Sequence, residues 1–111
     1  MFSIRKISSI EEFNKFLTEN ENVCVKFSAD WCQPCKLLGQ RLQNLDNEKI
    51  GNVLFGEVEI SENEDCEQLA EMYGVSNIPC MAYFKNKEIV DVSTGLVSLD
   101  DVYNRVNKLI G

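Results

Sequence analysis

The chain has 111 residues, 44% of them hydrophobic, with 18 acidic and 11 basic side chains, no histidine and a formal net charge of −7. That length fits one domain, residues 1–111, with enough apolar content for a modest core. The acidity disfavours nucleic acid and anionic membranes as partners, no apolar run can span a bilayer, and the missing histidine removes Ser-His and Cys-His catalysis and zinc sites of mixed ligation.

Residues 3–7 alternate and read as a short strand. Ser9-Ile10-Glu11-Glu12 fits a capping box that opens a helix with Ile10, Phe13, Phe16 and Leu17 on one face. Val23-Cys24-Val25-Lys26-Phe27 is almost continuously apolar, as a central strand buried on both faces would be, with Lys26 the exception. A helix is predicted over about 34–46, carrying Leu37, Leu38, Leu42 and Leu45. Pro34 suits its first turn, where a missing amide costs nothing. A second strong strand follows over 52–60. A third helix covers 61–73, with Cys66, Leu69, Ala70 and Tyr73 at helical spacing and Gly74 as its stop. The runs 80–84 and 88–93, joined by Lys85-Asn86-Lys87, pair as an antiparallel hairpin. A last helix starts at Ser98, with Leu99, Val102, Val106, Leu109 and Ile110 facing inward. The order βαβαβα followed by ββα calls for α/β architecture. Its mixed five-stranded sheet has a parallel N-terminal half, an antiparallel C-terminal hairpin and four flanking helices.

The chemistry concentrates at Trp31-Cys32-Gln33-Pro34-Cys35, where a strand meets a helix. Two thiols at this spacing can close or open a small disulfide ring within one turn of backbone. Five cysteines is an odd count for a disulfide-stapled secreted domain. The N-terminal residues lack the apolar stretch of an export signal, and the last residues are not a retention signal. A reducing, cytoplasmic setting is therefore expected, where a CxxC is working chemistry and not scaffolding. A single CxxC without histidine argues against a structural zinc site, so no metal is expected.

Ala29-Asp30-Trp31-Cys32-Gln33-Pro34-Cys35-Lys36 resembles the active-site run of the thioredoxin family, with Gln33 where glycine is usual. Ile78-Pro79 resembles the family's cis-proline loop, Phe84-Lys85-Asn86-Lys87-Glu88 its hairpin, and Thr94-Gly95 the turn beside its substrate groove. The resemblance covers nearly the whole chain. It implies a thioredoxin fold and a thiol-disulfide oxidoreductase that reduces protein disulfides. Only a thiolate attacks a disulfide, and a helix N-terminus stabilises that anion through its dipole and free amides. Cys32, expected to be the more exposed thiol, is then the nucleophile, and Cys35, one turn further in, releases the reduced target. The uncharged Gln33-Pro34 pair favours a reductant, and Lys36 supports the site. The resemblance also implies a groove of Trp31, Ile78, Pro79, Thr94, Gly95 and Leu96 that takes extended substrate segments. No bound cofactor is needed. Electrons would come from a thioredoxin reductase, flavin-dependent, or an equivalent donor, and the chain would act as a monomer.

The sequence departs from the family in several places. Lys26 stands where the family usually buries an aspartate, and Glu57 where it often has a lysine. The two charges are the same with their positions exchanged. Either Lys26 and Glu57 pair beneath the disulfide, or Lys26 runs along the sheet to water. In the first case Glu57 becomes the candidate base for Cys35. Cys80 follows Pro79 and reads as a small buried hydrophobe or a third redox thiol, while Cys24 and Cys66 read as packing residues. Gly39-Gln40 replaces a proline that often kinks the second helix. Lys87 replaces a common hairpin glycine and carries strain if the turn is type I′. The rival to catalysis is a redox-inert interaction module or clamp for a partner protein, which the two intact cysteines argue against. An oxidase or isomerase of the secretory pathway shares the fold, but the missing histidine and export signal count against it.

Overall fold

A computed structural model describes residues 2–111. Five strands, β1 (Arg5–Ile7), β2 (Asn22–Ser28), β3 (Leu54–Glu59), β4 (Cys80–Lys85) and β5 (Glu88–Thr94), form one sheet in the order β1-β3-β2-β4-β5. Five helices among the described residues accompany it: α1 (Ile10–Glu19), α2 (Gln33–Leu42), α3 (Asn47–Ile50), α4 (Glu64–Met72) and α5 (Leu99–Ile110). β3 pairs in parallel with both β1 and β2. β4 runs antiparallel to β2 and to β5. This is the thioredoxin fold, with the mixed sheet that the element order calls for.

Strand β2 lies at the centre, and all seven of its residues are buried. Side chains alternate across a strand, so β2 feeds two cores. Val23, Val25 and Phe27 pack with Phe13, Phe16 and Leu17 of α1 and Cys66, Leu69 and Ala70 of α4. Cys24 packs on the other face with Leu38 and Leu42 of α2, Ile50 of α3, and Val102, Val106 and Leu109 of α5. Phe13, Tyr73 and Phe84 meet at centroid distances of 5.2 to 5.8 Å, a geometry that contributes about 0.5–1.5 kcal/mol per pair beyond area burial. Gly56 of β3 is needed where α1 presses closest. An added Cβ would stand 2.7 Å from Ile7 and 3.0 Å from Phe16.

The helix predicted over about 34–46 stops at Leu42, and a separate short helix begins only at Asn47. The amides of Gln43, Asn44 and Leu45 bond to carbonyls three residues back, which tightens and ends α2. Asp46 then caps a new turn by accepting the Glu48 amide at 2.9 Å, and Gly51 ends it with φ +59°. That short α3 makes five helices where the element order suggested four. Ile110, expected inward, is 39% exposed, and Leu37 of α2 is 41% exposed. At α1, the Ser9 hydroxyl takes the Glu12 amide at 3.0 Å, and the Glu12 carboxylate takes the Ser8 amide.

The β4–β5 turn has positive φ at both central residues, +51° at Asn86 and +72° at Lys87. This is the type I′ geometry that a two-residue hairpin favours. Asparagine tolerates it and lysine does so at a cost. Lys87→Gly is expected to raise stability by about 0.5–1 kcal/mol, read as a higher melting temperature; no rise would mean the turn carries no strain.

The phenol of Tyr83 is buried in the α5-side core beside the Cys24 thiol, and its hydroxyl reaches no partner in hydrogen-bond geometry. Burial pushes both groups up from their ordinary values. Groups shifted this way contribute stability that is intact at low pH. It is lost as pH climbs past their unfolded values, about 8.5 for cysteine and about 10 for tyrosine. Stability is therefore expected to fall above about pH 9. Tyr83→Phe should flatten the decline above about pH 10 and add about 1 kcal/mol at neutral pH by removing the unpartnered hydroxyl. Denaturant melts between neutral and alkaline pH check both effects.

Candidate active site

The site forms where β2 stops. Beyond Ser28 the chain turns through Ala29, Asp30 and Trp31, and the Cys32 amide bonds back to the Ala29 carbonyl at 3.2 Å. Ser61 steadies this turn, with its hydroxyl 3.2 Å from the Asp30 carboxylate. Cys32 adopts the extended N-cap conformation of α2, with φ −94° and ψ 106°. Its sulfur accepts the Cys35 amide at 3.2 Å. The position that helices usually give to a serine or aspartate oxygen is thus filled by sulfur. Gln33 opens the helix, and Pro34 follows in the first turn, where no amide is required.

Cys32 and Cys35 are joined in a disulfide, with Cα atoms 5.3 Å apart. Cys32 is the more exposed of the two, but only at 5% against 2%. Around them pack Ala29, Ile60 and Ile78. Trp31 beside them is 71% exposed. The Ile78–Pro79 bond is cis. The Pro79 carbonyl accepts the Gly95 amide at 2.8 Å, and Gly95 turns there with φ +87°. Thr94 is exposed at the end of β5, and Leu96 is 39% exposed beyond it. The six residues expected to form a groove therefore come from three separate segments, 31, 78–79 and 94–96.

Below the disulfide, Lys26 and Glu57 face each other across the parallel β2–β3 ladder. Lys26 is only 4% exposed. Its ammonium lies 3.1 Å from Glu57 Oε2 and donates to the Cys35 carbonyl at 3.0 Å. The same Glu57 oxygen accepts the Ser28 hydroxyl at 3.0 Å. Burial would make an unpaired ammonium costly, and these two contacts compensate it. Of the two courses open to Lys26, the ion pair is the one found. A cleft of about 390 Å³ opens here, lined by Ser28, Asp30, Cys35, Lys36, Glu57 and Glu59 among others. Lys36 is exposed at its rim, one residue beyond Cys35.

Sequence reasoning missed three residues that shape the site. Arg41 of α2 donates to the Val97 carbonyl at 2.7 Å and so ties the 95–97 turn to the helix of the dithiol. Ser28 could have been found from strand alternation, which sets it on the same face as Lys26. Gly39 lies against the Lys26 ammonium, and nothing in the local pattern announces that.

Three thiols lie outside the pair. Cys24, Cys66 and Cys80 are all buried, and burial is the main cause that pushes each thiol up from its ordinary value. Cys66 also donates to the Ile7 carbonyl at 3.8 Å.

A dithiol that closes on itself at a helix N-terminus, flanked by a cis-prolyl loop, defines a thiol-disulfide oxidoreductase. A family model described as thioredoxin matches residues 5–108, and the chain belongs to the thioredoxin family. It is 39% identical over 103 residues to the thioredoxin of Chlamydia caviae, covering 93% of this chain and 96% of that one. It is 38% identical over 89 residues to mouse mitochondrial thioredoxin, covering 80% of this chain and 52% of that longer protein. Among solved structures, Malassezia sympodialis thioredoxin superposes with a TM-score of 0.84 at 25% identity, covering 100% of this chain and 94% of that chain. Fasciola hepatica thioredoxin superposes at 0.83, with 24% identity and coverage of 96% and 99%. The activity is that of a thioredoxin-type protein-disulfide oxidoreductase, and a redox-inert clamp is not favoured. Among the described residues, no helix is long and apolar enough to cross a membrane.

Burial should separate the thiols in a labelling experiment. After mild reduction, alkylation of the folded protein at pH 7 is expected to add one label, at Cys32. Cys24, Cys66 and Cys80 should react only in denaturant, at least about a hundredfold faster than when folded. Mass spectrometry of the labelled peptides reads this directly, and rapid native labelling of Cys80 would make it a third working thiol.

Proposed function

We propose that the chain works as a reductant of protein disulfides, with Cys32 as the attacking sulfur and Cys35 as the resolving one. The observation that carries this reading is the Cys35 amide aimed at Cys32 Sγ from the first turn of α2. An amide there stabilises a thiolate as it would any anion at a helix start. The Cys32 thiolate attacks one sulfur of the target disulfide and forms a mixed disulfide. The other target sulfur leaves as a thiolate and takes a proton from solvent. Cys35 then gives up its proton, and its sulfur attacks Cys32 Sγ. That breaks the mixed bond and releases the second target thiolate, which is protonated in turn. Two electrons and two protons pass to the target, and the Cys32–Cys35 disulfide remains.

Glu57 is the proton acceptor in this scheme, since it lines the same cleft as Cys35. Gln33 and Pro34 contribute no charge at the helix start, which keeps the dithiol a reductant. Trp31, Ile78, Pro79, Thr94, Gly95 and Leu96 form the surface that takes an extended target segment. The oxidised form is returned to the dithiol by a reductase of the thioredoxin-reductase kind or an equivalent donor. We further propose that the protein acts as a monomer of one domain in a reducing compartment such as the cytoplasm; the net charge of −7 fits an unassociated soluble protein.

Reduction of insulin disulfides by catalytic amounts of the protein, with dithiothreitol as the electron source, tests the assignment. Cys32→Ser and Cys35→Ser are each expected to lower turnover by more than about a hundredfold. Only Cys35→Ser should accumulate a mixed disulfide with the target, linked through Cys32. Trapping through Cys35 in the Cys32→Ser variant would reverse the two roles.

A further inference from the structure

Position 39 is poorly explained by the helix that contains it. Glycine is the weakest interior helix residue apart from proline, and here it sits one turn beyond Cys35, inside α2. Its φ is not in the left-handed region, so the backbone does not demand it. Space does. A Cβ built at Gly39 would stand 3.2 Å from Lys26 Nζ, closer than such contacts ordinarily come. Leaving aside chain neighbours and the helix's own backbone, no other heavy atom of the described residues lies within 4 Å of that point. The place where a side chain would begin is reserved for one ammonium.

That ammonium holds the carbonyl of Cys35 at 3.0 Å. The amide of the same residue donates to Cys32 Sγ at 3.2 Å. Cys35 is therefore gripped on its carbonyl by Lys26 while its amide faces the attacking sulfur. Glu57, itself held by Ser28, keeps the ammonium from swinging away.

We propose that Gly39 is a positioning residue for the dithiol, present to seat the Lys26 ammonium under α2 so that it clamps Cys35 and favours the Cys32 thiolate. The proposal rests on Cys32 being the attacking sulfur. It assigns position 39 a role in the redox chemistry, where helix propensity alone would give it none. A cation near the pair favours the anionic sulfur. Displacing it removes that help and leaves the Glu57 carboxylate unopposed, which acts in the same direction.

The test is the pH profile of Cys32 alkylation in the reduced protein. It needs no substrate, so it stays readable whether or not the chain reduces insulin. Lys26→Met should move the profile to higher pH and slow alkylation at pH 7 by roughly three- to tenfold. Gly39→Val should shift it the same way by pushing the ammonium aside. Gly39→Ala improves the helix and so folds in any event, and it should give a smaller shift in the same direction. In the Lys26→Met background, neither Gly39 substitution should move the profile further, because residues acting through one contact are not additive. The proposal is overturned if Lys26→Met leaves the profile in place. It is equally overturned if both Gly39 variants superimpose on the unsubstituted protein, or if their shifts add in full to that of Lys26→Met.

Discussion

The amide of Cys35 pointing at the sulfur of Cys32 is the contact on which the rest of the molecule converges. A helix start leaves several amides without internal partners, and something must satisfy them. Here the sulfur of Cys32 occupies the cap, so the ordinary need of a helix for an acceptor is met by the redox pair itself. The contact survives only if the first turn of α2 stays wound and stays in place. Leu38 and Leu42 in the α5-side core fix the helix from below. Lys26 holds the Cys35 carbonyl in its first turn, and the Ala29 carbonyl fixes the approach to it.

The exchanged charges follow from the same arrangement. Alternation along β2 sends residue 26 to the α2 face, directly under the dithiol. A carboxylate at that position would face the Cys35 carbonyl, acceptor against acceptor. An ammonium can donate to it, and does. The ammonium at residue 26 therefore grips a backbone carbonyl as well as setting the sign of the field. The carboxylate at residue 57 is left nearer to solvent, 31% exposed, where a proton can come and go more freely than at a fully buried site. A buried pair of this kind adds little net stability once desolvation is counted, so its use here is in fixing geometry.

Much of the fold was legible because its signals are local and agree with one another. Five strands, the order of elements, the hairpin and the helix starts at Ser9 and Ser98 came from periodicity and turn chemistry. The end of α2 was not legible. Leu42 and Leu45 are both buried and helically spaced, so the apolar pattern runs on past Leu42, where the tightened turns over 43–45 end α2. At the site, Cys32, Cys35 and Pro79 were visible as motif residues. The pairing of Lys26 with Glu57 was one of two options until the parallel register set them opposite. Gly39 stood out only as a departure in the second helix and Arg41 not at all, because each meets a group distant in sequence, and only the packed structure brings those groups within reach.

Arg41 has a mechanical consequence. By holding the carbonyl of Val97, it fastens the 95–97 turn to the last turn of α2. The Gly95 amide fastens the same turn to Pro79. Two segments distant in the chain, at Pro79 and 95–97, are thereby riveted to one helix. Turns tied in this way are already ordered, so they have little conformational entropy left to lose in any later contact.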